Sequence, residues 1–190
     1  MEVLQAVKAR RTIRKFKQTQ LSKKDIADIL ESARVAPAGA NLQSLKYAVV
    51  TDKKTRENMF PYIKYAGYLP NWNPTFEECP PVFVVIVNDT SIKPTEKCEV
   101  DCGAAIMSMC LTATEKQIGS CWLGAINREE IKKMLGFPDE YDIAYLLGLG
   151  YPDQTAKVVP MEDSVKYYFD SDGTVCVPKR SMDEILISEI

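Results

Sequence analysis

Helical and strand patterns alternate along this chain, which predicts a mixed helix–strand domain, α/β or α+β. Three observations carry the prediction. Val82-Phe-Val-Val-Ile-Val87 is an unbroken apolar run, typical of a strand buried on both faces. Residues 96–118 read as a long helix whose middle (Ala104, Ala105, Ile106, Met107, Met109, Leu111) is apolar all round. A sheet should cover one side of it and another body the other, for which a partner subunit is the natural candidate. Residues 141–149 form a further apolar strand, ended by Gly150-Tyr151-Pro152.

The elements follow in order. Val3, Leu4 and Val7 fall at helical spacing in residues 2–10, a short amphipathic helix. Ser22 with Asp25 resembles a capping pair, and Ile26, Ile29, Leu30 and Ala33 follow on one face of a helix that should end near Pro37. A small-residue turn, 36–43, precedes a strand over 47–51. Asp52 can cap a helix to Met59. Residues 61–80 hold five aromatics (Tyr62, Tyr65, Tyr68, Trp72, Phe76) and four prolines. That is too irregular for a regular element and too aromatic for a linker, so it reads as a pocket wall or lid, or else as a packed surface loop. The long helix should stop at Gly119. Residues 121–126 form a short strand, and Asn127 with Glu130 a capping box for a helix to Leu135. A hairpin around Asp172-Gly173 and a helix from Ser181 complete the chain. No repeat or linker divides residues 1–190, so one domain is expected.

Composition narrows the chemistry. Hydrophobic residues make up 46% and charged residues 26% of the 190, ordinary for a soluble globular protein. A net charge of −2 argues against nucleic-acid binding. The longest apolar run, 102–113, is 12 residues, short of the roughly 18 that span a bilayer. With no signal core near the start, the expectation is a cytoplasmic protein without membrane association. There is no histidine, so imidazole-dependent triads are excluded. The six cysteines form no Cys-x-x-Cys pair, and they read as reduced thiols rather than metal ligands. Neither a Gly-x-x-x-x-Gly-Lys-Ser/Thr loop nor a Gly-x-Gly-x-x-Gly follows any strand.

What remains is local and basic. In Arg10-Arg11-Thr12-Ile13-Arg14, four of five side chains can bind an oxyanion, the arginines through a rigid donor fork. Lys179-Arg180 is a second basic pair. An anchored phosphate in a protein poor in catalytic side chains fits an enzyme whose chemistry belongs to a bound cofactor. No catalytic side chain is nominated.

Several segments resemble the nitroreductase family of FMN-dependent flavoproteins. Arg10-Arg11-Thr12-Ile13-Arg14-Lys15-Phe16 is similar to the family's Arg-Arg-Ser-x-Arg-x-Phe opening. The stretch from Ala36-Pro37 to Asn41-Leu42-Gln43 resembles its Ala-Pro-Ser-x-x-Asn-x-Gln segment. Asp101 to Ala113, then Gly119 to Gly124, resemble its long helix and flavin-facing strand, and Gly148 to Pro152 its late Gly-Tyr-Pro turn. The resemblance implies an α+β fold: a three-layer α/β/α sandwich with a mostly antiparallel central sheet and a long central helix at the interface of a homodimer. It implies that Arg10 and Thr12 hold the FMN phosphate with Arg11 in support, and that Arg14 lies toward the ribityl chain or pyrimidine edge. Lys179 or Arg180 would complete the phosphate cage. Pro37, Ala38, Gly39, Asn41 and Gln43 would serve the flavin of the opposite subunit, and Leu123 and Gly124 would place backbone near flavin N5. Tyr65, Tyr68, Trp72 and Phe76 would form the substrate lid. The implied activity passes hydride from NAD(P)H through N5 to nitroaromatic, quinone or similar small acceptors by a ping-pong mechanism. The alternatives are a flavin-sequestering module or a non-nitro flavin enzyme of the same fold. This chain departs from the family at Ser44-Leu45, where Pro-Trp is common, at Gln117-Ile118 before Gly119, at Thr12, and at Ala38.

Overall fold

The structure is a computed structural model that describes residues 1–69 and 72–189. Pro70 and Asn71, within the aromatic 61–80 segment, lie outside the described residues. In chain order the elements are α1 (Val3–Ala9), α2 (Lys23–Arg34), β1 (Leu45–Val50), α3 (Lys53–Met59), β2 (Val82–Asp89), α4 (Glu99–Glu115), β3 (Gly119–Leu123), α5 (Arg128–Leu135), β4 (Tyr141–Gly150), β5 (Ala156–Pro160), β6 (Tyr168–Phe169), β7 (Val175–Lys179) and α6 (Met182–Ile185).

The main sheet has the order β1-β2-β4-β3, and every neighbouring pair in it is antiparallel. This resolves the class as α+β. All eight residues of β2 are buried, as its apolar run predicts. Its alternation divides the core into two. Val82, Val84 and Ile86 pack with α2 and α4, through Ile29, Ile106 and Met109. Phe83, Val85 and Val87 face Met59 of α3, Ile131 of α5, and Ile63 and Tyr65. Helices therefore lie on both faces of an antiparallel sheet. A smaller sheet, β5-β7-β6, joins β5 to β7 in parallel and β6 to β7 antiparallel. The turn at Gly173, φ 75°, makes the expected hairpin, whereas β5 has no counterpart in the sequence reading.

The caps act where the side chains predict. Ser22, Asp52 and Asn127 each accept the N–H three residues on. Several boundaries differ. α4 is shorter than residues 96–118, because a separate 3-10 turn takes Thr95–Lys97. Its stop is also not Gly119. Gln117 takes the left-handed conformation at φ 58°, with Gln117 N–H donating to Thr114 and Ile118 N–H to Ala113. Gly119 instead opens β3, and β3 ends at Leu123 rather than at residue 126. β1 spans Leu45–Val50 rather than 47–51, and α2 ends at Arg34. α6 is a single turn closed by a Ser181–Glu184 capping box, since no apolar face packs to extend it.

Two apolar surfaces stay open. Only Ala6 of α1 is buried; Val3, Leu4 and Val7 face outward, the reverse of what their spacing suggests. On α4, Val100 is 83% and Met107 41% exposed, so one side of the apolar helix lacks a cover. No helix of the described residues is long and apolar enough to cross a membrane.

Candidate functional site

The basic segment is fixed by the residues between its cations. Ile13 and Phe16 are buried, and they pin residues 12–16 along the free edge of β3. Thr12 bridges Ser120, Ile13 N–H donates to the Ser120 carbonyl at 2.9 Å, and Phe16 bridges Pro152. This approach is close enough that a side chain at Gly119 would crowd it. A Cβ on Gly119 would sit 3.0 Å from Ile13 Cγ1 and 3.1 Å from Pro152 Cγ. With Ile13 and Phe16 turned in, Arg10, Arg11 and Arg14 are left half-buried at the surface.

The arginines line two cavities. Arg10 and Arg11 border one of about 360 Å³ with Ser120, Gln154 and Thr155. Arg14 borders another of about 470 Å³ with Tyr65, Trp72, Trp122, Leu123, Gly124 and Tyr167. Arg14 is held rigidly. Its Nε donates to the Tyr65 carbonyl (2.6 Å), its backbone N–H to Gln154 Oε1 (2.9 Å), and its guanidinium carbon lies 4.5 Å from the Tyr167 ring centroid. Among the described residues no carboxylate pairs with Arg10, Arg11 or Arg14. Burial, and then the neighbouring Arg10 charge, hold Arg11 below its ordinary pKa. Uncompensated, adjacent guanidiniums are the donor set that a bound phosphate would relieve.

Leu123 is buried, and Gly124 is exposed just past the end of β3. A Cβ at Gly124 would lie 3.3 Å from the Tyr145 ring, so the backbone here stays bare. Trp122 stands 40% exposed, edge-on to Tyr145.

The remaining nominated residues divide. Of the lid aromatics, Tyr65 and Trp72 border the Arg14 cavity, but Tyr65 is only 4% exposed and belongs to the core. Burial pushes its phenol pKa far up, and its hydroxyl has no hydrogen-bond partner. Trp72 packs at a tilt against Phe169, and Tyr68 against Tyr167. Phe76 packs edge-on to Phe60 and beneath Arg56, away from the cavity. Tyr65 thus lies in the core, Trp72 and Phe76 pack partly buried against it, and of these Tyr65 and Trp72 border the Arg14 cavity.

Lys179 and Arg180 border neither arginine cavity. The end of β7 at Val175 meets Thr155, and Lys179 lies about 13 Å further along the strand. Arg180 pairs instead with Glu184 at 3.1 Å. Pro37, Ala38, Gly39, Asn41 and Gln43 are also remote: they border neither arginine cavity. Their loop is tied to Asp101 at one end of α4, while Thr114 borders the arginine cavity near the other, about 20 Å away along the helix. Gln154, Tyr167, Ser120 and Trp122 were not nominated from sequence. An exposed tryptophan inside an apolar strand was a usable signal, whereas Gln154 and Tyr167 matter only through the fold.

A model of the Nitroreductase family matches residues 7–151. The chain belongs to the nitroreductase family. Relatives agree over most of their length. A protein of Archaeoglobus fulgidus, provisionally named NADH dehydrogenase/NAD(P)H nitroreductase, is 31% identical over 157 residues, covering 80% of this chain and 86% of that one. A nitroreductase family protein of Clostridium novyi NT superposes with a TM-score of 0.68 at 27% identity, covering 80% and 87%. An FMN-dependent nitroreductase of Clostridium difficile R20291 gives 0.66 at 26%, covering 89% and 93%. The chain is therefore an oxidoreductase of the nitroreductase family, and the expected α+β architecture is the one these relatives share.

Proposed function

We propose that this nitroreductase is an FMN-dependent NAD(P)H oxidoreductase that works as a homodimer of single-domain subunits and reduces nitroaromatic or quinone acceptors. The observation that carries the reading is the row of carboxylate-free arginines along the β3 edge, Arg10 and Arg11 bordering one cavity and Arg14 a second, aromatic-walled one that Leu123 and Gly124 also line. Arg10, Arg11 and Thr12 would hold the FMN phosphate. Arg14, immobilised by Tyr65 and Gln154, would present its free guanidinium nitrogens to the more polar part of the cofactor. Bound FMN would supply hydride transfer at N5 from NAD(P)H to the acceptor. Around it the chain positions and shields: the bare Gly124 backbone leaves room for flat rings to approach, and Trp72 and Trp122 wall the cavity with apolar surface.

The dimer is supported by two features. The outer side of α4 and the apolar side of α1 stand open, and the Pro37–Gln43 loop cannot reach the arginines of its own chain. A second copy packed along α4 would cover the first and supply the second.

The test is an absorbance spectrum of freshly purified protein, repeated after anaerobic NADPH. The expected result is a flavin spectrum that bleaches with NADPH and recovers on adding a quinone. A colourless protein after incubation with FMN contradicts cofactor binding, and a flavin that stays oxidised under excess NADH and NADPH contradicts turnover.

A further inference from the structure

We propose that Asp101 is a positioning residue for the flavin site of a second copy of this chain, acting through the Pro37–Gln43 loop. Asp101 lies in the first turn of α4 and is 3% exposed. One carboxylate oxygen accepts the Gly39 N–H at 2.9 Å, and the other receives the Lys93 ammonium, itself nearly buried. Burial alone would raise the Asp101 pKa, but the Lys93 and Gly39 donors outweigh it and hold the carboxyl below its ordinary value. The anchor is therefore charged at neutral pH, and the loop hangs from a charge-assisted hydrogen bond.

The loop needs such an anchor. Residues 39–43 are all exposed, so no core holds them. Ala40, Asn41 and Gln43 carry φ values of 50°, 54° and 51°, a left-handed backbone that non-glycine residues adopt only at a cost in free energy. Among the described residues, the bond to Asp101 is the only side-chain hydrogen bond joining residues 37–43 to the rest of the molecule; the Gln43 amide bonds within the loop. A strained, outward-facing loop tied to one buried carboxylate is shaped in advance for something outside its own chain. That fits a role in holding a ligand whose phosphate lies on another subunit.

This inference rests on the FMN reading above, and its test is a subunit-mixing experiment with full-length chains. Asp101→Ala should weaken FMN binding by about tenfold or more, the scale of one charge-assisted hydrogen bond. The variant carrying Arg10→Ala and Arg14→Ala should lose FMN outright. Co-expressed under two tags and purified as the mixed dimer, the two defective chains should recover about one tight flavin per dimer. One of the two sites then combines intact arginines with an intact loop from the other chain. No recovery, or full FMN affinity in the Asp101→Ala homodimer, overturns the proposal. If only the arginine variant keeps its flavin, the phosphate assignment falls, and the Asp101→Ala affinity alone decides this one. Should Asp101→Ala fail to fold, Gly39→Pro removes the donor N–H while leaving the buried Asp101–Lys93 pair in place, and the same outcomes apply.

Discussion

The Arg10–Arg14 segment and the Pro37–Gln43 loop are two stretches whose residue order resembles the nitroreductase family, and the fold treats them in opposite ways. The first is clamped to its own subunit: Ile13 and Phe16 are buried, Thr12 and Phe16 bridge to Ser120 and Pro152, and Arg14 is fixed from both backbone and side chain. The second is exposed, takes left-handed backbone at three non-glycine positions, and hangs on one buried carboxylate. A segment that binds in cis can be built on the core. A segment that binds in trans, as proposed for the loop, has to be shaped without one, and here backbone strain and a single buried tether would do so.

The comparison can be broken most severely at the clamped segment. Removing two guanidiniums, in Arg10→Ala with Arg14→Ala, should cost about 3–6 kcal/mol of FMN binding, at roughly 1.5–3 kcal/mol for each charged contact. Flavin content by absorbance should fall to near nothing while gel filtration and circular dichroism stay unchanged. Next, Phe16→Ala should destabilise the subunit by about 3–5 kcal/mol, because its ring is wholly buried beside the basic segment. Denaturant unfolding checks it, with flavin loss following instability rather than preceding it.

At the tethered loop the effects are smaller and depend on pH. The folded Asp101 pKa lies below its unfolded value, near 3.9. Its contribution to stability is therefore complete above the unfolded pKa and fades as pH falls through the folded one. The stability advantage of the wild type over Asp101→Asn should be flat above about pH 5 and shrink below about pH 4. Thermal melts across that range would show it, and an advantage that grows toward acid would contradict the assigned sign. Smallest of all, Ala40→Gly should change stability by no more than about 0.5 kcal/mol, since relief of left-handed strain offsets the added freedom of the unfolded chain. On the wall of the Arg14 cavity, Trp72→Ala should alter the KM for acceptors several-fold. Phe76→Ala should instead lower stability with little change in acceptor preference.

Much of this was legible in the residues. The β2 run announced a strand buried on both faces, and Ser22, Asp52 and Asn127 announced their helix starts, because burial and capping are local. The arginines were legible as a candidate anion site, because three cations within five residues demand a partner. What stayed hidden was tertiary. Gly119 looked like a helix stop, yet its lack of a side chain serves the approach of Ile13, which lies 106 positions earlier. The burial of Tyr65 was not legible either, because aromatic content does not say which rings the core takes. Nothing in the sequence singled out the Asp101 side chain, because its bond to the Gly39 N–H exists only once the loop folds over it.

The most direct measurement is a crystal structure grown with FMN. The account predicts a dimer in which the phosphate lies about 3 Å from the Arg10 and Arg11 donors of one subunit. The ring system should rest on Leu123 and Gly124 of that subunit and touch the Pro37–Gln43 loop of the other. A nucleotide seated away from the β3 edge, or one whose contacts all come from a single chain, would contradict it.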